Sequence, residues 1–390
     1  MNGARINLLF IVSSLAIGGA EKHVLSLANQ LDSTQFRLAL VYLKSDETLL
    51  GQLDLQQLDL GVLDARVQRR IDLGAVRRIA DMLRSRAIDL IVCVNPFSLL
   101  YGQLARMTAG RRCKIVELFH STLPGSMHDR LQMGFYRPFI ARTDMLVYVC
   151  ANQQRFWRAR LLRAKNEAVI HNGVDVDYFQ DRYPAAEKKL GRARYGFAAD
   201  DFVVGLCAAM RPEKAHADLL EALVRLRAAG QRVKALLIGD GPRREAIERQ
   251  IVALDLERHV TITGYLADVR PAIGLCDALA IVSHSVETFS IAALEAMAMS
   301  KPMIMSDIGG ASEQVRSGEN GYLFPAGDIA RLADAIHRLG HPGQAREQGL
   351  RARERVVESY ALPVMVAAYT RLFRELASCS ATIAESPHAF

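Results

Sequence analysis

Long apolar runs are missing from this chain. No stretch reaches the roughly 18 consecutive apolar residues that a membrane-spanning helix needs. Arg5 followed by "INLLFIVSSLAIGG" has the outline of a short secretory signal. The run leads straight into a glycine turn and a good helix, however, so a first buried strand from Ile6 to Ser13 is the expectation. Cysteine is scarce: six in 390 residues. Cys93, Cys113, Cys150, Cys207 and Cys276 lie in or near apolar runs, with no paired short spacing. That excludes a disulfide framework or zinc ribbon and predicts small core residues in a reducing compartment. Missing too are the fingerprint G-x-G-x-x-G and the phosphate loop ending G-K-[ST], which speaks against a dinucleotide oxidoreductase. No two-carboxylate metal motif stands out. The "DVD" at Asp175 to Asp177 falls in a polar hinge, a poor place for a metal-bound diphosphate. There is no repeat of 20 to 50 residues and no recognised nucleic-acid motif.

What is present is globular. Half the residues are hydrophobic, and the length predicts two domains. Only the last dozen residues, "CSATIAESPHAF", read as a loose tail. The net charge of +7 is unevenly placed: Arg111 to Glu167 carries eleven Arg and Lys against four Asp and Glu, matching the whole excess. Basic residues mixed with Phe, Trp and Leu in "RFWRARLLRAKNEA" suit anionic lipid headgroups or an acidic substrate. A solvated basic face over ordinary core aromatics fits the same pattern.

Two halves repeat one plan. "INLLFIVSS", "FRLALVYL", "IDLIVCVN", "CKIVELFHS", "MLVYVC" and "EAVIHNG" read as buried strands, with helices at "AEKHVLSLANQL" and "AVRRIADMLRSRA". The second half restarts at "DFVVGLCAAM" and continues through "VKALLIGDGP", "VTITGY", "ALAIVSH", "KPMIMSD" and "NGYLFPAGD" with helices between. Short β-rich runs alternating with helices predict α/β architecture, a parallel sheet covered on both faces in each half. The hinge is expected in "NGVDVDYFQDRYPAAEKKL", where turn residues interrupt the rhythm, with the boundary near residues 172 to 200. A last helix from about Pro363 to Glu375 either caps the second half or crosses back to the first.

Candidate chemistry clusters where strands end. Gly18 and Gly19 stand between the first strand and helix, where backbone N–H groups and the helix dipole favour an anion; a plain tight turn reads the same. Glu21 follows in the first helical turn. Arg211 and Lys214 follow the first strand of the second half, just before a helix, and suit a di-anion such as a pyrophosphate. Gly239 ends a strand in "GDGP". Gly264 and Tyr265 end the next, where backbone atoms could meet a base edge. In "SHSVETFSIAALEAMAM", Ser290 is a plausible N-cap, and Glu295 falls among apolar neighbours in the second helical turn. A carboxylate there is paired, binds something, or sits on the helix surface. An ionised carboxylate accepts two hydrogen bonds from a vicinal diol, so Glu295 and Glu287 could divide a nucleoside and a sugar between them. His120 ends a strand of the first half and suits a sugar hydroxyl or a backbone carbonyl, or is a satisfied turn residue. His171 and His284 carry less weight.

Taken together, these residues resemble the retaining glycosyltransferases with two Rossmann-like domains, the GT-B fold, in the large bacterial family with the E-x7-E motif. The pattern is Glu287 and Glu295. "GGAEKHVLSLA", "IHNGVDVDYF", "RPEKAHADLLEAL", "IGDGP" and "ITGY" fall in the family's order, over roughly residues 6 to 335. The resemblance implies an acceptor domain over residues 1–175 and a donor domain over 176–362, facing across a cleft. It also implies a crossover helix over 363–378 returning to the first domain, before a loose tail at 379–390. It implies a UDP- or GDP-sugar donor, no metal or other cofactor, and catalytic roles for Arg211, Lys214, His120 and Glu287. The donor set it implies is Gly18, Gly19, Arg211, Lys214, Gly239, Gly264, Tyr265, Glu287, Phe289, Ser290, Ile291 and Glu295. Relatives often read E-G-F-G where this chain reads "ETFS", so Thr288 and Ser290 bring side chains where others expose backbone. Ser300 likewise stands where relatives often have glycine.

The expected reaction moves a hexosyl or N-acetylhexosaminyl group, with retention, to a glycan or polyprenyl-linked glycolipid. That suits polysaccharide or lipopolysaccharide assembly by a cytoplasmic protein at the inner face of an anionic membrane, with no nucleic-acid partner. A sugar-nucleotide 2-epimerase and a non-catalytic nucleotide-sugar-binding subunit are the alternatives.

Overall fold

The computed structural model describes residues 5–120, 127–285 and 287–384. The chain divides into two compact units: residues 1–172 with 362–390, and residues 173–361.

In the first unit the elements run β1 (Ile6–Val12), α1 (Gly19–Gln30), β2 (Phe36–Tyr42), β3 (Gly61–Asp64), α2 (Leu73–Ser85), β4 (Leu90–Val94), α3 (Asn95–Ala109), β5 (Lys114–Phe119), α4 (Met127–Ala141), β6 (Met145–Tyr148), α5 (Ala151–Arg158) and β7 (Glu167–Val169). The second unit holds α6 (Ala185–Arg194), β8 (Phe202–Cys207), α7 (His216–Ala228), β9 (Val233–Ile238), α8 (Arg244–Ala253), β10 (Val260–Gly264), α9 (Arg270–Leu275), β11 (Ala278–Ile281), α10 (Ile291–Ala298), β12 (Met303–Ser306), α11 (Ala311–Gln314), β13 (Gly321–Phe324), α12 (Ile329–Leu339) and α13 (Gln344–Ser359). Then α14 (Leu362–Ala384) belongs to the first unit.

Each unit is built on one parallel sheet, with strand orders β3-β2-β1-β4-β5-β6-β7 and β10-β9-β8-β11-β12-β13. Both orders reverse direction next to their first strand, between β1 and β4 and between β8 and β11. Open α/β sheets hold ligands at that reversal, beyond the carboxyl ends of the strands. The strands are near-continuous apolar runs because both sheet faces are covered: β1 buries Leu8 and Phe10 on one side, and Leu9 and Ile11 on the other.

The apolar stripe of α14 explains its allegiance. Leu362, Met365, Tyr369, Leu372, Phe373 and Leu376 recur at helical spacing and are buried in the core that covers β1 and α1. The helix runs further than the loose tail expected from residue 379 on, continuing through Ala384. "SCSATIA" contains neither proline nor glycine to stop it. Residues 385–390 of the expected tail lie outside the described residues.

The expected hinge is also more ordered than its composition suggests. It contains α6, and it is fastened to the second unit. Arg353 donates to the carbonyls of Val176 at 3.3 Å and Phe179 at 3.4 Å. Asp181 accepts from Lys188 at 2.6 Å and pairs with the buried Lys301 at 3.2 Å. These partners lie up to 177 residues away along the chain, which no local pattern reveals.

Candidate active site

In the second unit, two loops leave the sheet on either side of the strand-order reversal. The loop after β8 makes one 3-10 turn over Pro212–Lys214, with the exposed Arg211 at its N-terminal cap, and Ala215 takes the left-handed conformation (φ 46°) before α7 begins. The loop after β11 carries Glu287. The two are joined three times. Lys214 Nζ donates to Glu287 Oε2 at 2.7 Å. The backbone N–H of His284 donates to the Glu213 carbonyl at 3.1 Å. His284 Nε2 lies 2.6 Å from Asp218 Oδ2 on α7. Ser283 Oγ adds a bond of 3.1 Å to the same Glu287 oxygen. Burial and the Lys214 charge push the neighbouring His216 down to about 4, so its imidazole is neutral. Lys214 and Glu287, far apart in sequence, thus form one charged pair, and Arg211 stands three residues from it.

From Glu287 the chain enters α10. Ser290 is its N-cap, its Oγ accepting from the Ala293 N–H at 3.2 Å. Gln314 holds Ser290 at both backbone groups, accepting from its N–H at 3.1 Å and donating to its carbonyl at 2.8 Å. Phe289 is buried edge-to-face on Tyr360, with ring centroids 5.2 Å apart. The "ETFS" departure therefore gives Ser290 a capping task. Ile291 opens the helix, and Glu295 follows in its second turn at only 6 % exposure.

Backbone contacts that need glycine fix these loops. A Cβ on Gly309 (φ 57°) would run into the carbonyl oxygen of Glu287, and Gly310 N–H donates to the Thr288 carbonyl at 2.7 Å. In "GDGP", a Cβ on Gly239 would meet the Ala208 carbonyl, and one on Gly241 would lie 2.8 Å from the Met210 backbone. Those two glycines bring the loop after β9 against the loop that carries Arg211. Gly264 ends β10 in the left-handed region (φ 71°), and Tyr265 beyond it is exposed.

In the first unit, Gly18 is the extended N-cap of α1 (φ −161°), and Gly19 is its first residue. The Glu21 side chain folds back onto Gly18, and burial raises its carboxyl pKa. One turn on, His23 is buried with its ring 4.8 Å from that of His120. His120 follows β5, its backbone N–H donating to Asn95 Oδ1 at 3.1 Å. Burial pushes His120 down to about 4. Asn172 lies against His23, and His171 is its half-buried neighbour in sequence.

The candidate residues therefore form two groups, one in each unit: Gly18, Gly19 and His120, and separately Arg211, Lys214, Gly239, Gly264, Tyr265, Glu287, Phe289, Ser290, Ile291 and Glu295. Sequence reading passed over His23, Asp218, Gly309 and Gln314. Only Gly309 carried a signal, the "GG" directly after β12. Among the described residues, no group of three or more His, Cys, Asp or Glu side chains could hold a metal ion. Among them, too, no helix is long and apolar enough to cross a membrane.

Comparison with known proteins places the chain in a class of enzymes. Residues 17–178 match the family described as Glycosyltransferase Family 4, and residues 187–354 match Glycosyl transferases group 1. The chain is a glycosyltransferase of the GT-B fold related to these two families, a class of enzymes that moves a sugar from a nucleotide-sugar donor to an acceptor. It is 25 % identical over 313 residues to the N-acetyl-alpha-D-glucosaminyl L-malate synthase of Bacillus anthracis, covering 78 % of this chain and 79 % of that one. It is 28 % identical over 271 residues to the phosphatidyl-myo-inositol mannosyltransferase of Mycobacterium leprae (strain TN), covering 69 % of each. The fold is similar to the crystal structures of Anabaena Alr3699/HepE in complex with UDP and with UDP-glucose. In both, the TM-score is 0.82 and the identity 23 %, over 95 % of this chain and all of that one.

Proposed function

We propose that the chain transfers a hexosyl or N-acetylhexosaminyl group from a UDP- or GDP-sugar with retention at the anomeric carbon. The observation that carries this reading is the Lys214–Glu287 pair at the strand-order reversal, with Arg211 and the nearly buried Glu295 on the flanking elements. Arg211 and Lys214 hold the donor diphosphate, and their charge favours the negative charge that grows on it as the glycosidic bond breaks. Glu295 accepts from the ribose hydroxyls and Glu287 from the hexose. Gly239, Gly264, Tyr265, Phe289, Ser290 and Ile291 shape the nucleotide side of that site. In the first unit, Gly18 and Gly19 offer backbone N–H groups, and His120 meets the transferred sugar. The bond between the anomeric carbon and the phosphate oxygen breaks. The acceptor oxygen bonds to the same face of that carbon, and the acceptor proton passes to the departing phosphate oxygen. A side-chain base is then unnecessary.

The acceptor differs among relatives, since one is named for malate and the other for phosphatidyl-inositol. Our reading of this chain favours a glycan or polyprenyl-linked glycolipid of polysaccharide or lipopolysaccharide assembly, met at an anionic membrane surface. Met127, Leu131 and Phe135 support it: they stand at four-residue spacing on α4 and are exposed, while Tyr136 and Ile140 on the same helix are buried. Arg70 lies over the Phe135 ring at 4.9 Å.

Replacing Arg211 and Lys214 together by alanine is expected to lower turnover with UDP- and GDP-sugars at least about a hundredfold. The circular dichroism spectrum should not change. NMR of the product gives the anomeric configuration. Full turnover by the double variant, or an inverted product, overturns the assignment.

A further inference from the structure

His120 is held from two directions. Its backbone is fixed by Asn95, which takes the left-handed conformation (φ 67°) at the start of α3, one that asparagine tolerates. Its ring meets that of His23 edge-to-face, with centroids 4.8 Å apart and planes at 65°. The His23 ring in turn meets Tyr369 of α14 at 5.5 Å and 70°, and Tyr369 packs on Phe373 at 5.7 Å. A row of rings therefore runs from the last helix, through the first, to the end of β5.

Two features separate this row from ordinary core packing. Placing an imidazole and a phenol there costs desolvation that aliphatic side chains would not. The Tyr369 hydroxyl has no hydrogen-bond partner, and His23 has only the Asn172 side chain beside its ring. What both give the row is the shape and orientation of flat rings. Edge-to-face contacts prefer particular angles, which aliphatic side chains do not impose.

We infer that His23 and Tyr369 are positioning residues for His120, holding the plane of its ring and so the directions along which its nitrogens can make hydrogen bonds. This rests on the proposed role of His120 at the transferred sugar. A neutral imidazole has one donor and one acceptor nitrogen, both acting in the ring plane, so tilting that plane turns both away from the hydroxyl they would meet. Burial keeps both histidines neutral near pH 7, so charge cannot substitute for orientation. The crossover helix consequently does more than close a core.

The test is a double-mutant cycle on the full chain, read by kcat, donor KM and the ring ¹⁵N shifts of His120. His23→Phe and Tyr369→Phe keep the rings and are expected to retain kcat within about twofold. His23→Leu removes the ring and is expected to lower kcat about tenfold, with donor KM within about twofold. In a His120→Ala background, His23→Leu should cost nothing further, and in the His120-containing protein it should move the His120 ¹⁵N shifts. Full kcat in His23→Leu, a loss that simply adds to that of His120→Ala, or a tenfold loss in a folded Phe variant overturns the inference. If His120→Ala is itself fully active, the role assigned to His120 fails. The ¹⁵N shifts then decide the ring coupling alone: unmoved shifts refute it, and moved shifts sustain it. Should His23→Leu not fold, the Phe variants and their shifts carry the decision.

Discussion

A carboxylate in an apolar segment has opposite meanings at two positions of this chain. Glu295 lies in the second turn of α10, behind the Ser290 cap. Glu117 lies within a strand. It lies on β5 opposite Cys93, is fully buried, and neither of its oxygens has a hydrogen-bond partner. Burial raises its pKa well above the carboxylate range, so the folded chain holds it protonated. Below about pH 4.5 it is protonated in folded and unfolded chains alike. Above that the unfolded chain loses the proton and the folded one keeps it. Stability therefore falls as pH rises, by up to about 1.4 kcal/mol per pH unit until the folded pKa is reached. Glu117→Gln removes this slope. Its melting temperature should gain on that of the parent between pH 5 and pH 8, and a constant difference would show that Glu117 is ionised in the fold. His23 and His120 act with the opposite sign. Their folded pKa values are depressed, so their share of stability is present above about pH 6.5 and is lost as pH falls towards about 4 for His120.

At the level of elements, the E-x7-E spacing joins two different kinds of structure. Glu287 lies in a loop, Glu295 in the second turn of α10, and Ser290 marks the change between them. The helix half is fixed by its own cap and by Gln314. The loop half depends on neighbours, above all on Gly309, which lets the segment after β12 lie directly against the Glu287 backbone. Gly309→Ala adds a methyl group where a carbonyl stands, in a backbone conformation that disfavours a side chain. A loss of about 1–3 kcal/mol is expected in urea unfolding, together with a rise in donor KM as the Glu287 loop moves away from Lys214. An unchanged donor KM would mean that the loop absorbs the methyl group without displacing Glu287.

On the scale of the molecule, the charge excess gathered between Arg111 and Glu167 falls wholly in the first unit. Three of its four acids are already committed: Glu117 is buried, Asp144 is bridged by Arg106 at 3.3 Å and Lys165 at 3.0 Å, and Glu167 by Arg158 at 2.6 Å. Many of the basic groups remain at the surface. Co-sedimentation with vesicles containing anionic lipid should exceed that with neutral vesicles and weaken as salt rises. Leu131→Glu should reduce it severalfold, since it places an anion in the exposed stripe of α4. Equal recovery on neutral and anionic vesicles would favour an acceptor in free solution.

The sequence by itself determined the α/β alternation, most strands, the Ser290 cap and the motif pairing Glu287 with Glu295. These rest on local rules: apolar runs of strand length, turn chemistry, and the oxygen that a helix N-terminus needs. Only the tertiary structure decided that Lys214 meets Glu287, that Gly309 clears room for the loop between them, and that the hinge segment is tied to the second unit. It alone decided that the last helix reaches His23 beside His120. Each of these contacts joins residues tens to hundreds of positions apart, brought together by strand order and by burial of apolar faces, and neither has a signature in neighbouring residues.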